Sequence, residues 1–221
     1  MYVQDAFPGD AQAQALAEAV ASGDASRVGE LVRAGADPNV RGDRGVNMLE
    51  WAVLRQSPAG LEALLEAGAD PGGPGLGDNS VVHMAAMTDD AGYLEILLAH
   101  GADPNDASGR GGESPLFSAT GQRTDAQFQM LLAAGADPNG ADRMGNTPLH
   151  VAASINAFAH VLDLLEAGAD PLARNARGDT FQRPLRMGRL DLLHDQARAE
   201  LAAIDAWLRE HGMPIENDAG D

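Results

Sequence analysis

One six-residue phrase, Ala34-Gly35-Ala36-Asp37-Pro38-Asn39, keeps returning, with close copies at Ala67 to Gly72, His100 to Asn105, Ala134 to Asn139 and Ala167 to Leu172. Its glycine recurs at Gly35, Gly68, Gly101, Gly135 and Gly168, in steps of 33, 33, 34 and 33 residues. A fixed period in this range specifies a stacked array, because so small a unit cannot bury its own apolar face and must lean on its neighbours. Each copy follows an apolar triplet spaced i, i+3, i+4: Val28, Leu31, Val32; Leu61, Leu64, Leu65; Leu94, Leu97, Leu98; Phe128, Leu131, Leu132; Val161, Leu164, Leu165. That spacing sets three side chains on one helical face. The glycine stops the helix by taking the left-handed conformation that a β-carbon disfavours, and Asp-Pro prevents resumption.

A second signature begins 12 residues past the glycine. It reads Thr147-Pro148-Leu149-His150-Val151-Ala152-Ala153 in its fullest form, Ser114-Pro115-Leu116-Phe117 earlier, Ser80-Val81-Val82-His83 before that, and Asn47-Met48-Leu49-Glu50 first. A Ser, Thr or Asn followed by proline at the first helical position starts a helix. Together the two signatures resemble the ankyrin repeat over roughly residues 10–212. The resemblance implies an all-α ankyrin-repeat solenoid of helix-turn-helix units with finger loops, an atypical N-terminal cap and an extended C-terminal capping helix.

The expected organisation is a flexible leader over residues 1–9, ending in Pro8-Gly9, then one repeat domain over 10–212. Its units are a capping repeat at about 10–40, repeats at 41–72, 74–105, 107–139 and 141–172, and a closing unit at 174–212. The extra residue of the fourth unit falls in its finger, at Ser108 to Gly112, since the interval from Ser114 to Gly135 equals that from Thr147 to Gly168. The helix pair is therefore expected to be unchanged. Ten additional residues separate Thr180 from the apolar Ile204, Trp207 and Leu208, and a stripe runs through Leu190, Leu193, Ala197, Leu201, Ile204 and Leu208. One long or broken closing helix from Arg189 to His211 accounts for both. Residues 213–221 form an acidic tail expected to be disordered.

Composition narrows the function. An apolar share of 44% permits a folded core, and Leu- and Ala-filled helices explain why only 4% is aromatic. With 33 acidic against 15 basic residues the net charge is −18, which argues against nucleic acid and an anionic membrane surface as partners. It favours a protein with a basic surface. Cysteine is absent, so disulfides and thiolate metal sites are not available. No run of 18 apolar residues exists, so no membrane span is expected. The opening Met1-Tyr2-Val3-Gln4-Asp5 lacks the basic and apolar regions of a secretion signal. A soluble bacterial protein, cytoplasmic as it stands and periplasmic had a signal been removed, is the corresponding expectation.

Signatures of catalysis are missing. The chain contains no His-Glu-x-x-His, no Gly-x-Ser-x-Gly and no phosphate-binding Gly-x-x-x-x-Gly-Lys. Gly72 to Gly77 is glycine-rich but follows a helix stop rather than a strand, so it reads as a finger and not a dinucleotide loop. No enzyme activity, cofactor or metal is expected. The resemblance implies that His83 and His150 bond backbone between neighbouring loops. His100 and His211 stand in last helical turns, where positive charge suits the helix dipole. Asp37, Asp70, Asp103, Asp137 and Asp170 are the repeat's own turn residues. Trp51 shares the position of Met84 and Val151, which reads as core.

What remains is surface. Proteins similar to this one dock partners on the concave face made by finger tips and the exposed side of first helices. Transferred residue by residue, those positions are Asp43, Arg44, Val46, Leu54 and Arg55; Leu76, Asn79, Met87 and Thr88; Arg110, Glu113 and Gln122; Arg143, Met144, Asn146, Ser154 and Ile155; and Arg177 and Asp179. Leu54, Met87, Met144 and Ile155 stand out, since solubility alone would place polar residues there. The expected function is a non-catalytic module binding one partner protein. The closing Thr180-Phe181-Gln182 and Ala206-Trp207-Leu208-Arg209-Glu210-His211-Gly212 also resemble bacterial ankyrin proteins that neutralise secreted toxins, including phospholipase effectors of the type VI system. Alternatives are a general scaffold or regulatory ankyrin protein, or an anion or ligand site at Arg183, Arg186, Arg189 and His194.

Overall fold

A computed structural model of the chain describes residues 2–121, 123–187 and 192–216, with Asp78 described by its backbone alone. Helices come in pairs that follow the glycine phase. After α1 (Val3–Ala6), the first pair is α2 (Ala11–Ser22) and α3 (Ala25–Arg33). The next are α4 (Met48–Leu54) with α5 (Pro58–Glu66), α6 (Val81–Met87) with α7 (Gly92–Ala99), α8 (Pro115–Ser118) with α9 (Asp125–Ala133), and α10 (Pro148–Ser154) with α11 (Phe158–Glu166). The closing unit holds α12 (Gln182–Met187) and α13 (Asp195–Glu210). First helices pack on first helices along the whole stack, and second on second from α3 to α7 and from α11 to α13, giving two layers. Between α9 and α11 the Phe128 ring stacks on His160 with centroids 4.0 Å apart. No strand is found among the described residues, only an isolated antiparallel bridge between Arg41 and Asn47 at the base of the first finger.

The core lies between the layers and is built from the triplets. Leu61, Leu64, Leu94, Leu97, Phe128, Leu131, Val161 and Leu164 are fully buried. Starts and stops obey local chemistry. The side chains of Asp10, Asp24, Asn47 and Ser57 accept N–H groups of the first turns of α2, α3, α4 and α5. Gly35, Gly68, Gly101, Gly135 and Gly168 all take positive φ, between 82° and 102°. Each turn aspartate accepts the N–H two residues on, at 2.8 to 2.9 Å. The fold is the all-α ankyrin-repeat fold.

Four features differ from the sequence expectation. The leader is packed: Ala6 and Phe7 are buried, the Phe7 ring meets Trp51 edge-on with centroids 5.8 Å apart, and Gln14 Nε2 donates to Phe7 O at 2.8 Å. Gly42 permits this approach, because a Cβ there would stand 2.1 Å from Ala6 O. The beginning of the tail is also engaged. Gln182 Nε2 donates to Pro214 O, Glu216 N donates to Gln182 Oε1, Thr180 Oγ1 donates to Glu216, and Ile215 rests against the core. Residues 217–221 lie outside the described residues.

The fourth pair is changed despite its preserved spacing. α8 has four residues where α10 has seven. Thr120 Oγ1 donates to Leu116 O and Thr124 Oγ1 donates to Ala119 O, both at 2.7 Å, so hydroxyls take carbonyls that a longer helix would pair with its own amides. Finally, the closing helix takes the broken one of its two expected forms, but α13 begins at Asp195 rather than Arg189. Its Ala197, Leu201, Ile204 and Leu208 are buried, in line with the stripe, whereas Leu190 lies outside the described residues.

Candidate functional site

Fingers and first helices share one side of the stack. The fingers are joined edge to edge by backbone: Arg143 N donates to Gly111 O at 2.8 Å and Ala176 N donates to Met144 O at 2.7 Å. Side chains add further links, with Arg110 N donating to Asn79 Oδ1 at 3.1 Å, Asn175 Nδ2 to Asn146 Oδ1 at 3.0 Å, and Arg41 to Gly75 O. Beneath them the histidines act as the resemblance implies. His83 Nε2 bonds Glu113 O at 2.9 Å and His150 Nε2 bonds Asp179 O at 3.0 Å, so each ring donates there and accepts the hydroxyl of Ser80 or Thr147 at Nδ1. In the second unit Glu50 replaces the ring. Its carboxylate accepts the N–H groups of Asn47 and Leu76. Burial pushes the Glu50 carboxyl above its ordinary value, although those N–H donors and Arg41 pull it down.

The surface positions divide clearly. Asp43, Arg44, Leu54, Arg55, Met87, Arg110, Arg143, Met144, Ser154, Ile155 and Arg177 are exposed. Among the apolar ones Leu54 is 47% exposed, Met87 62%, Met144 57% and Ile155 41%. Leu76, Asn79, Thr88, Glu113, Asn146 and Asp179 are half-buried, and Asn79 and Asn146 use their side-chain oxygens within the finger network. Val46 is a correction: it is fully buried beneath its finger and meets no partner. Gln122 lies outside the described residues. Trp51 is core, with Nε1 donating to Ala17 O at 2.9 Å and the Arg55 guanidinium 5.5 Å from its ring.

Sequence reasoning missed Met187, which is 69% exposed. It helps line an open cleft of about 350 Å³ with Val151, Ser154, Arg177, Arg183 and Pro184. It stands seven residues after Thr180, as Met87 stands seven after Ser80 and Ser154 seven after Thr147, so the repeat register was the signal that could have found it. A second opening, of about 570 Å³, has Met87, Thr88, Tyr93 and Arg123 on its walls.

The possible chemical sites do not assemble. Ser80, His83 and Asp106 look like a nucleophilic triad in composition, but Ser80 is fully buried and His83 Nε2 is held by a backbone carbonyl. Burial pushes Asp106 up, yet the neighbouring Ser80 and Ser108 hydroxyls, the Ser108 backbone N–H donated to Oδ1 at 2.9 Å and the nearby His83 outweigh it and hold the carboxyl below its ordinary value. The group is a finger tie. At the closing segment, where an anion site was the alternative, the described members are engaged within the chain: Arg183 pairs with Asp179, Arg186 with Asp205, and His194 Nδ1 accepts the Ala197 N–H at the start of α13. Arg189 lies outside the described residues. Among the described residues no cluster of three metal-ligating side chains occurs, and no helix is long and apolar enough to cross a membrane.

Residues 82–175 match the family model for ankyrin repeats, in three copies. Over 143 residues the chain is 48% identical to Protein PhlB of Serratia liquefaciens. That alignment takes in 64% of this chain and 62% of the relative, so less than two thirds of the relative is spanned. Among solved structures, the ankyrin repeat domain of Bcl-3, of the IkappaB protein family, superimposes with a TM-score of 0.76 at 24% identity, covering 96% of this chain and 92% of that one. An ankyrin repeat domain from Acinetobacter baumannii AYE gives 0.73 at 24% identity, covering 90% and 98%. Both likenesses are of fold.

Proposed function

We propose that this chain, which has the ankyrin-repeat fold and carries ankyrin repeats across residues 82–175, is a non-catalytic module that holds one partner protein on its finger-and-first-helix face. Ankyrin repeats are protein-interaction modules, and stacked repeats present extended concave binding surfaces. One observation carries the reading: Leu54, Met87, Met144 and Ile155 all stand exposed, Met144 in a finger and the others at the ends of first helices. Apolar groups ringed by charge are how docking surfaces are built. A standard interface covers about 800 Å² on each partner, within reach of several adjacent repeats. The test is the double variant Met87→Glu, Ile155→Glu. Partner binding is expected to be abolished while melting stays at the wild-type temperature; unchanged affinity would overturn the reading.

A narrower reading makes the partner a secreted antibacterial toxin of phospholipase type, which this chain neutralises. Its support is the resemblance of the closing sequence, together with a bacterial relative at 48% identity. Stoichiometric addition of the purified chain is expected to stop lipid hydrolysis by the cognate enzyme. Full hydrolysis by a toxin already bound to the chain would rule this reading out while leaving the module reading intact.

A further inference from the structure

A net charge of −18 suggests a basic partner, but the charges are unevenly placed. Helices α5, α7, α9 and α11 carry the six carboxylates Glu62, Glu66, Glu95, Asp125, Asp163 and Glu166 and no arginine. The chain has no lysine, so all 15 of its cations are arginine. Four of these, Arg44, Arg110, Arg143 and Arg177, stand exposed at successive finger tips, with only the finger of the third unit lacking one.

Carboxylates beside the last two tips are occupied, and Glu113 makes no ion pair with Arg110 or Arg143 among the described residues. Asp142 accepts the N–H groups of Met144 and Asn146, both at 2.8 Å, and Asn146 Nδ2 at 2.9 Å. Asp179 is shared by Arg177 and Arg183. Arg110 and Arg143 have no acidic partner among the described residues, in a chain with more than twice as many acids as bases. Exposed Met144 follows Arg143 directly. The backbone bonds from Arg143 to Gly111 and from Ala176 to Met144 hold the finger backbones that carry these side chains in a fixed row before any partner arrives. A guanidinium presents a planar fork of donors that matches a carboxylate, and it gains most where its spacing is set in advance.

Resting on the reading that this face holds a protein, we propose that the partner docks through an acidic segment, with carboxylates on Arg110 and Arg143 and an apolar side chain against Met144. A nucleic acid would bring a long run of phosphates into the field of the whole −18 molecule, whereas a short acidic segment meets only the local row.

The test uses the full chain and a dye-labelled peptide of alternating Glu and Leu, read by anisotropy at low salt. The peptide is expected to bind, and Arg110→Glu with Arg143→Glu is expected to weaken it by roughly tenfold or more, with Arg110→Lys and Arg143→Lys falling between. Arg110→Gln with Arg143→Gln, melted alongside, separates lost charge from lost fold. Equal binding to wild type and the double Glu variant overturns the proposal, as does displacement of the peptide by inorganic phosphate at matched ionic strength. With a captured partner, loss in Met87→Glu, Ile155→Glu but retention in the double arginine variant sinks the acidic-segment proposal alone. Retention in both sinks the module reading as well.

Discussion

Asn139 Oδ1 accepts the backbone N–H of Asp170 at 2.7 Å, one repeat further along, while Asn139 Nδ2 donates to Gly168 O at 3.1 Å. The same rung joins Asn105 to Asp137 and Gly135, and Asn39 Oδ1 accepts from Asp70 N at 2.7 Å. Gly72 occupies the equivalent place in the second unit, so no side chain reaches Asp103. Gly72→Asn restores the rung and removes a flexible residue from the unfolded chain. Its expected gain is roughly 1 kcal/mol, or about 2–4 °C in Tm. Van der Waals room exists, since a Cβ would lie 3.4 Å from Asp70 Oδ1. Thermal melts check this.

Phe7→Ala removes a buried ring from Trp51 and should destabilise by about 3 kcal/mol, measured by urea unfolding. Gly42→Ala should act in the same direction by pressing on Ala6 and Phe7. A mobile leader would leave both variants at wild-type stability.

His150→Ala deletes the donor to Asp179 O and the acceptor for Thr147, leaving buried polar groups without partners. A cost of about 2 kcal/mol is expected, together with faster amide exchange in the closing unit.

Glu50 and Asp106 bend the pH profile in opposite directions. Glu50 binds its proton more tightly when folded, so its contribution is complete below its ordinary value of 4.5 and is lost as pH rises through the folded value. Asp106 binds its proton less tightly when folded. Its contribution is complete above 3.8 and is lost as pH falls through the folded value. Unfolding free energies over about pH 3 to 7 should therefore lose a decline above 4.5 in Glu50→Gln and an acid-side loss below 3.8 in Asp106→Asn.

Much of the fold was legible because it is local. The triplets, the stop glycines, the turn aspartates and the cap residues act within a few positions of one another. The inter-loop bonds of His83 and His150 were legible through the resemblance. Contacts across large sequence separation were not: nothing near Phe7 announces that Trp51 awaits it, nor does Glu216 announce Thr180. Equal spacing hid the shortened α8, because a helix of four residues and a following loop span the same count as a helix of seven. At the candidate site, position alone did not separate Val46, which points inward, from Met144, which does not. Summed charge concealed the arginine row, since a total says nothing about where its members sit.

The last helix lays Leu201, Ile204 and Leu208 against α11 and turns Arg198, Ala202 and Arg209 outward. A stack whose final seam stayed bare would accept the first seam of another copy, and such head-to-tail joining does not close on itself but grows into fibres. With α13 laid over it, that side of α11 is not free to start such a joint.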